Sequence, residues 1–331
     1  MKYLISKTKT QYKANLHCHS TLSDGAWTPE RIKQEYKKRG YSVVAITDHE
    51  RLVTHHDLTD DKFLFLTAYE AFVRPFPFDK RTGVQSHMNF YSKTPENALV
   101  YYTPELTTYI PKEELETLKY HKFVEHRHYE EGFIQEFVSY AKECGYLVCH
   151  NHPTWSFEDE SCIDMYKDCF AMEIYNNGCF VIGHNEFNEH IYNRQIRKGR
   201  KMALIASDDN HNAYDANHPR CDSFGGITYI LADSLDYDSI ITALENKDFY
   251  ASQGPQIFML GVENGVLKVE TSSATSIFFI TNLRNRTNVI GENLTSAELM
   301  LNDDIEWVYV VVTDKNGKSA YSRAYFKEEL Q

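Results

Sequence analysis

The sequence predicts an α/β fold followed by a small all-β region. Short apolar runs recur along the first three quarters of the chain, and helical patterns lie between several of them. After Gly254-Pro255 the helical patterns stop, and strand runs separated by turn signals take over. With 331 residues, 42% hydrophobic, 15 Gly and 9 Pro, the composition excludes disordered and fibrous classes. At roughly 150 residues per domain, this length suits two domains, or one barrel with an appendage.

The strand candidates are Ala14–Leu16, Ser42–Ile46, Phe63–Leu66, Met88–Tyr91, Tyr146–Cys149, Ala171–Tyr175, Met202–Ala206 and Gly226–Leu231. They lack polar alternation, which suits parallel strands covered on both faces. Between them, Thr28–Arg39 reads as a helix, with Thr28 to cap it, Pro29 at the first turn and Gly40 to end it. Glu130–Glu143, Glu186–Lys198 and Tyr237–Asn246 are the other helices expected. Such alternation fits an α/β barrel or a doubly wound sheet. Residues 92–127, rich in Tyr, Glu and Pro, break the rhythm and read as an insertion over one end of the core. Its His121, His126 and His128 read as surface groups. From residue 255 to 331, Leu267–Glu270, Ile277–Ile280 and Trp307–Thr313 are strand-like, and Asn264-Gly265 and Asn316-Gly317 are turns. No helix is expected there. The division expected is therefore 1–254 and 255–331, the second a small β-sandwich-like unit.

The chemistry lies at the ends of the apolar runs. His17 and His19 close the first, at a spacing that puts both imidazoles on one face of an extended chain. Asp24 follows in the next loop. The second run delivers Thr47-Asp48-His49, the third Glu70, and the fifth His150-Asn151-His152; His87 opens the fourth. The run ending at Ala206 delivers Ser207-Asp208-Asp209-Asn210-His211. A barrel assembles its active site at the carboxyl ends of several strands, and scatter would not choose one end repeatedly. Imidazoles mixed with carboxylates, without paired thiolates, suit Zn²⁺, Mn²⁺ or Fe²⁺. The candidates outnumber the positions around a single ion, so two or three divalent metals are implied. A hydroxide held by such ions attacks a phosphate ester, and hydrolysis of a small phosphorylated molecule fits best.

Taken together, Leu16-His17-Cys18-His19-Ser20, Thr47-Asp48-His49, Glu70, His87, His152-Pro153 and Asp209–His211 resemble the PHP (polymerase and histidinol phosphatase) family. The resemblance spans residues 14 to about 254. It implies a distorted (β/α)7 TIM-like barrel with two or three metals and phosphoesterase chemistry. Carried over, the ligands are His17, His19, Asp24, His49, Glu70, His87, His152, Asp209 and His211. His150 stands beside His152, and Asp208 beside Asp209; the motif spacing favours His152 and Asp209. Phe249–Pro255, leading into the β region, resembles a hinge of the branch that includes carbamate-insecticide hydrolases. That branch opens an alternative, a carboxylic or carbamic ester hydrolase on the same metals. A non-catalytic metal-binding module is the third reading, and the full ligand set argues against it.

Arg51, Arg74 and Arg220 are candidate anion clamps, Arg220 first. His184, in a loop before a helix, is a candidate to protonate a leaving group. The net charge of −12 disfavours long nucleic acids, which are bound by neutralising phosphates; a nucleotide stays open as a substrate. Seven Cys without paired spacing suit a reducing cytoplasm. MKYLISKTKT lacks a sustained apolar region, so no secretory signal is expected, and no apolar run suggests a membrane span.

Overall fold

The computed structural model describes residues 1–75, 78, 81, 83–285 and 287–331. The fold is mixed α/β, built on one 16-stranded sheet with a strand-rich C-terminal part. The expected runs become the strands Thr10–Asn15, Val43–Ile46, Leu64–Val73, Ser86–Ser92, Tyr146–His150, Ala171–Asn176, Ala203–Ser207 and Ile227–Ala232. Starting at Ile227–Ala232, these lie in chain order from Thr10–Asn15 to Ala203–Ser207 across the sheet. Thr10–Asn15, Val43–Ile46 and Leu64–Val73 pair in parallel, as do Tyr146–His150, Ala171–Asn176 and Ala203–Ser207.

The expectation of uniformly parallel strands fails at Ser86–Ser92, which runs antiparallel to both Leu64–Val73 and Tyr146–His150. An antiparallel neighbour starts at the rim where the preceding strand ends, so the chain returns without crossing back to the other end of the sheet. The reversal puts the first residues of this strand at the rim where its neighbours end. His87 therefore lies opposite Phe72, and Met88 opposite His150. Ile227–Ala232 is likewise antiparallel to Thr10–Asn15.

Alternate residues of these strands enclose a core of small and branched side chains, among them Ala14, Val43, Ala45, Leu66, Ala68, Cys149, Ala171, Ala203, Ile205 and Ile230. Ala203–Ser207 and Ile227–Ala232 share this core. They meet through the Thr228 hydroxyl, which donates to the Ala206 carbonyl at 3.0 Å and accepts from the Ala206 N–H at 3.3 Å. Among the described residues no backbone ladder joins these two strands.

Helix Pro29–Lys38 is capped by Thr28, whose hydroxyl accepts from the Arg31 N–H. Helix Glu131–Glu143 buries Ile134, Phe137, Val138 and Ala141, one face at helical spacing. Tyr237–Asn246 begins behind the Asp236 cap. The helix expected from Glu186 begins instead at Glu189. Glu186 is committed elsewhere: its buried carboxylate accepts from the N–H groups of Thr154 and Trp155, in the loop beyond His152.

Residues 92–127 hold two short strands, Leu99–Tyr102 and Tyr120–Phe123, paired in parallel as a separate sheet. His121 contacts Asn97, His126 faces Glu105, and His128 packs on Phe133. The segment is fastened by Arg127, whose guanidinium makes two bonds to Glu50 at 2.6 and 2.8 Å. It also donates to the carbonyls of Phe72 and Tyr101. Both charged groups are buried.

In the C-terminal part, Ile257–Glu263 and Val266–Thr281 form a hairpin through Asn264-Gly265, both at positive φ. Thr287–Met300 and Trp307–Thr313 add to Val266–Thr281. A short helix, Lys327–Leu330, is present where none was expected. The sheet continues across residue 254 at two places. Lys2–Ile5 pairs with Ile257–Glu263, and Phe249–Ser252 lies between Ile227–Ala232 and Ser319–Tyr321.

Removing one member of a buried ion pair strands the other charge, at a cost of about 3–5 kcal/mol. Arg127→Ala is therefore expected to lower unfolding stability by that amount in a denaturant titration. Arg127→Met combined with Glu50→Leu is expected to recover most of the loss.

Candidate metal centre

The site is assembled where the strands end. Beyond Asn15 the chain stays extended, and the His17 carbonyl accepts the Asp209 N–H at 2.9 Å while the His19 N–H donates to the Asn210 carbonyl at 3.1 Å. These two bonds fix the His17/His19 strip against the loop that bears Asp209. Asp209 has φ 49°, a left-handed conformation that is strained for a residue with a Cβ and persists where the surroundings enforce it. Its carboxylate accepts from Asn176 Nδ2 at 3.1 Å. Gly178 makes room: a Cβ there would meet the Asp209 carbonyl at 2.5 Å.

Four ligand atoms converge first. His17 Nε2 lies 3.1 Å from Asp209 Oδ1 and 3.2 Å from Glu70 Oε1. His19 Nε2 lies 3.0 Å from Asp209 Oδ1 and 3.4 Å from Glu70 Oε2. Glu70 then turns to a second group, with His87 Nδ1 and His49 Nδ1 each 3.1 Å from its oxygens. His152 Nε2 stands 3.4 Å from Glu70 and 3.6 Å from Asp209. Asp24 gathers a third set, with His211, His49 and His19 at 3.4, 3.6 and 3.8 Å. All nine residues expected as ligands thus lie in overlapping groups with metal-type spacing.

The donor set fits divalent cations. His19 Nδ1, His49 Nδ1 and Glu70 Oε2 are buried without a hydrogen-bond partner, and each such orphan costs about 1–3 kcal/mol. A cation between these atoms would satisfy them together. The electrostatics say the same. Burial disfavours the Glu70 carboxylate charge, yet His87 and His17 hold it well below the usual range. Asp209 is held down against burial by His17 and His19. Burial lowers His87 to about 4, so it offers a neutral nitrogen, whereas Glu70 and Asp209 override burial to raise His152 to about 9. The carboxylates pull positive charge into the cluster, as protons or as metal.

Two ambiguities of the motif are resolved by geometry. Asp208 accepts from the N–H groups of Phe224, Gly225 and Gly226 and from Tyr36 Oη, so it braces a loop. His150 is bound to Glu158 at 2.5 Å and stacked on Tyr166, outside the cluster. Asp48 also has a bracing role, accepting from Ser20 and Ser23 to fold the loop between His19 and Asp24.

The cluster floors a cleft of about 800 Å³. Arg220 and Arg74 line it, Arg220 over the Tyr214 ring and Arg74 over Phe72. No carboxylate pairs with Arg220 among the described residues. Arg51 is turned away to Glu114 and the carbonyls of Leu22 and Tyr109. His184 does not reach the cleft; its ring faces Phe157, which leaves the assigned proton donor without access.

Glu173 was missed. Its carboxylate accepts from His17 Nδ1 at 2.8 Å, the His152 N–H at 2.9 Å and Asn176 Nδ2 at 2.9 Å, and it also bonds the Ser207 hydroxyl. A carboxylate that fixes the ring of a ligating histidine sets its tautomer and basicity. The signal was present: an acid inside the wholly apolar run Ala171–Tyr175 has no structural use without a buried partner. Tyr109, which brings the insertion to the cleft, carried no such signal. Its ring stacks on His49, and its hydroxyl donates to Asp24 at 3.4 Å.

The family model for the PHP domain matches residues 15–184. The chain belongs to the PHP domain family. Among solved structures, the chain is similar to a two-domain protein from Bacteroides vulgatus containing a predicted PHP-like metal-dependent phosphoesterase. That match has 14% identity and a TM-score of 0.46 and covers 98% of each chain. A candidate metal-dependent phosphoesterase from Bifidobacterium adolescentis gives 16% and 0.41, over 62% of this chain and 90% of that one. An amidohydrolase from Chromobacterium violaceum with bound sulfate gives 16% and 0.37, over 60% and 87%. No curated protein matches the chain. The PHP match stops before Asp209 and His211, and it is the fold that returns these two to the cluster. No helix among the described residues is long and apolar enough to cross a membrane.

For this PHP domain, Glu173→Gln is expected to weaken metal binding roughly 10–100-fold with every ligand in place, read by titration with a competing chelator. Asp209→Ala should lose one ion outright by elemental analysis. Equal affinity in Glu173→Gln and wild type would remove Glu173 from the site.

Proposed function

We propose that the chain is a metal-dependent phosphoesterase that cleaves a small phosphorylated molecule in its cytoplasm. The observation behind this reading is the gathering of nine imidazole and carboxylate side chains, Glu70, Asp209 and Asp24 at their centres, on the floor of an open cleft. When bound, divalent ions supply Lewis-acid polarisation of the ester and a nucleophilic water at neutral pH. We assign three ions: one to His17, His19, Glu70 and Asp209, one to His49, Glu70 and His87, and one to Asp24 and His211 with shared imidazoles. His152 closes the first two groups. The choice among Zn²⁺, Mn²⁺ and Fe²⁺ is left to the reconstitution below.

Charge favours an anionic substrate over a neutral ester. Divalent ions bound over the carboxylates of Asp24, Glu70 and Asp209 would make the floor of the cleft attractive to an anion, with Arg74 and Arg220 on its wall. A phosphate dianion suits that floor. Arg220, exposed and without a carboxylate partner among the described residues, would orient the phosphoryl oxygens from the mouth by paired N–H bonds. Tyr109, whose hydroxyl donates to Asp24, holds the insertion against the mouth of the cleft. The strands around the apolar core are read as the distorted (β/α)7 barrel of PHP proteins, closed at Thr228, with 255–331 as the second unit. Small phosphorylated molecules, nucleotides included, are the substrate class.

The test is hydrolysis by the full chain reloaded with Mn²⁺, Zn²⁺ or Fe²⁺. Chromogenic phosphomonoester, phosphodiester and carboxylic ester substrates run in parallel, with His19→Ala as blank. Phosphate release in wild type, reduced at least about 1,000-fold in His19→Ala, is the expected result. Ester cleavage without phosphate release would replace this reading with a carboxylic or carbamic ester hydrolase. No turnover on any substrate with the metals bound would point to a non-catalytic module.

A further inference from the structure

The metal cluster occupies only the floor of the cleft, and a phosphoryl group would fill a small part of its roughly 800 Å³. What surrounds the rest is mostly apolar. Trp155 stands against two ligand imidazoles, with ring centroids 5.1 Å from His87 and 5.0 Å from His152. Phe72 lies 5.8 Å from His87, and Tyr109 lies 6.1 Å from His49. The short helix Asn177–Val181 runs out to Ile182, which also lines the cleft and is 57% exposed.

Large apolar side chains left open beside a cluster of charged groups need a reason, because contiguous exposed apolar surface is rare outside binding sites. Ile182, open to solvent, is not required to be apolar by the core. The joint placement of Trp155 and Ile182 gives the cleft two zones: a charged floor, and a wall of rings and branched side chains.

Resting on the reading of the centre as a phosphoesterase site, we infer that the group esterified to the phosphate is apolar and ring-bearing, and that the Trp155–Ile182 wall selects it. A polyhydroxylated leaving group that carries no apolar ring would face this wall with its hydroxyls unmatched. Binding sites that hold ligands largely by shape and apolar contact use few polar groups for orientation, and here Arg220 and the metal floor provide them.

The experiment is calorimetric titration of the metal-loaded full chain with phosphonates, whose C–P bond is not hydrolysed. 2-Phenylethylphosphonate is compared with 2-hydroxyethylphosphonate. The expected preference for the phenyl compound is at least tenfold, equivalent to about 1.4 kcal/mol. Ile182→Ser and Trp155→Ala should each reduce that ratio to threefold or less; Ile182, being exposed, can be changed without threatening the fold. Phenylacetate against acetate is a second series. A ratio near one in both series, or a ratio unchanged in both variants, overturns the inference. Preference for phenylacetate with no phosphonate binding keeps the apolar wall and rejects the phosphoester reading. Phenyl preference among phosphonates without turnover of any phosphate ester would separate the two claims in the same way.

Discussion

Everything at this site depends on Glu70, a carboxylate that is fully buried. An ionised carboxylate moved into a protein interior loses several kcal/mol of solvation unless positive charge is supplied locally. Here the supply is a ring of imidazoles, His17, His19, His49, His87 and His152, each within reach of one of its two oxygens. Imidazoles alone do so only by binding protons, and the unpaired Glu70 Oε2, His19 Nδ1 and His49 Nδ1 show that the arrangement is not closed by hydrogen bonds. The geometry is that of ligands facing ions. The surrounding braces, Glu173 on His17, Asp48 on the Ser20–Ser23 loop and Asp208 on the Phe224–Gly226 loop, hold the ring in place.

Much of this was legible in the chain. Apolar runs ending in His, Asp or Glu gave the strands and most of the residues that gather in the cluster, because a buried strand and a polar rim impose different chemistry on adjacent residues. Less legible was anything that depends on direction. The reversal of Ser86–Ser92, which puts His87 at the start of its strand, leaves no mark in the sequence, because the link from Val73 to Ser86 is long enough for a crossover as well. The assignment of His184 came from its place before a helix, and nothing in one dimension could say that it faces Phe157 rather than the cleft. The long strands Val266–Thr281 and Thr287–Met300 were half hidden because their polar, alternating stretches look like loop.

The insertion at 92–127 is part of the cleft rather than an ornament on it. Arg127 fastens its far end to Glu50, the residue after His49, and the next residue, Arg51, holds the Tyr109 carbonyl. One ligand is thus followed directly in sequence by two residues that anchor the same segment. The cleft wall and the metal floor are in this way tied through the backbone of a single short loop.

The pairing of Lys2–Ile5 with Ile257–Glu263 has a consequence for how the molecule is made. Its first strand waits through the synthesis of about 250 further residues before a partner exists, and contacts so distant along a chain form late. Until then an edge of unpaired N–H and carbonyl groups stays open, the kind of surface that recruits foreign strands. That strand begins with Lys2 and is mostly exposed, a charge on an edge that discourages such pairing during the wait.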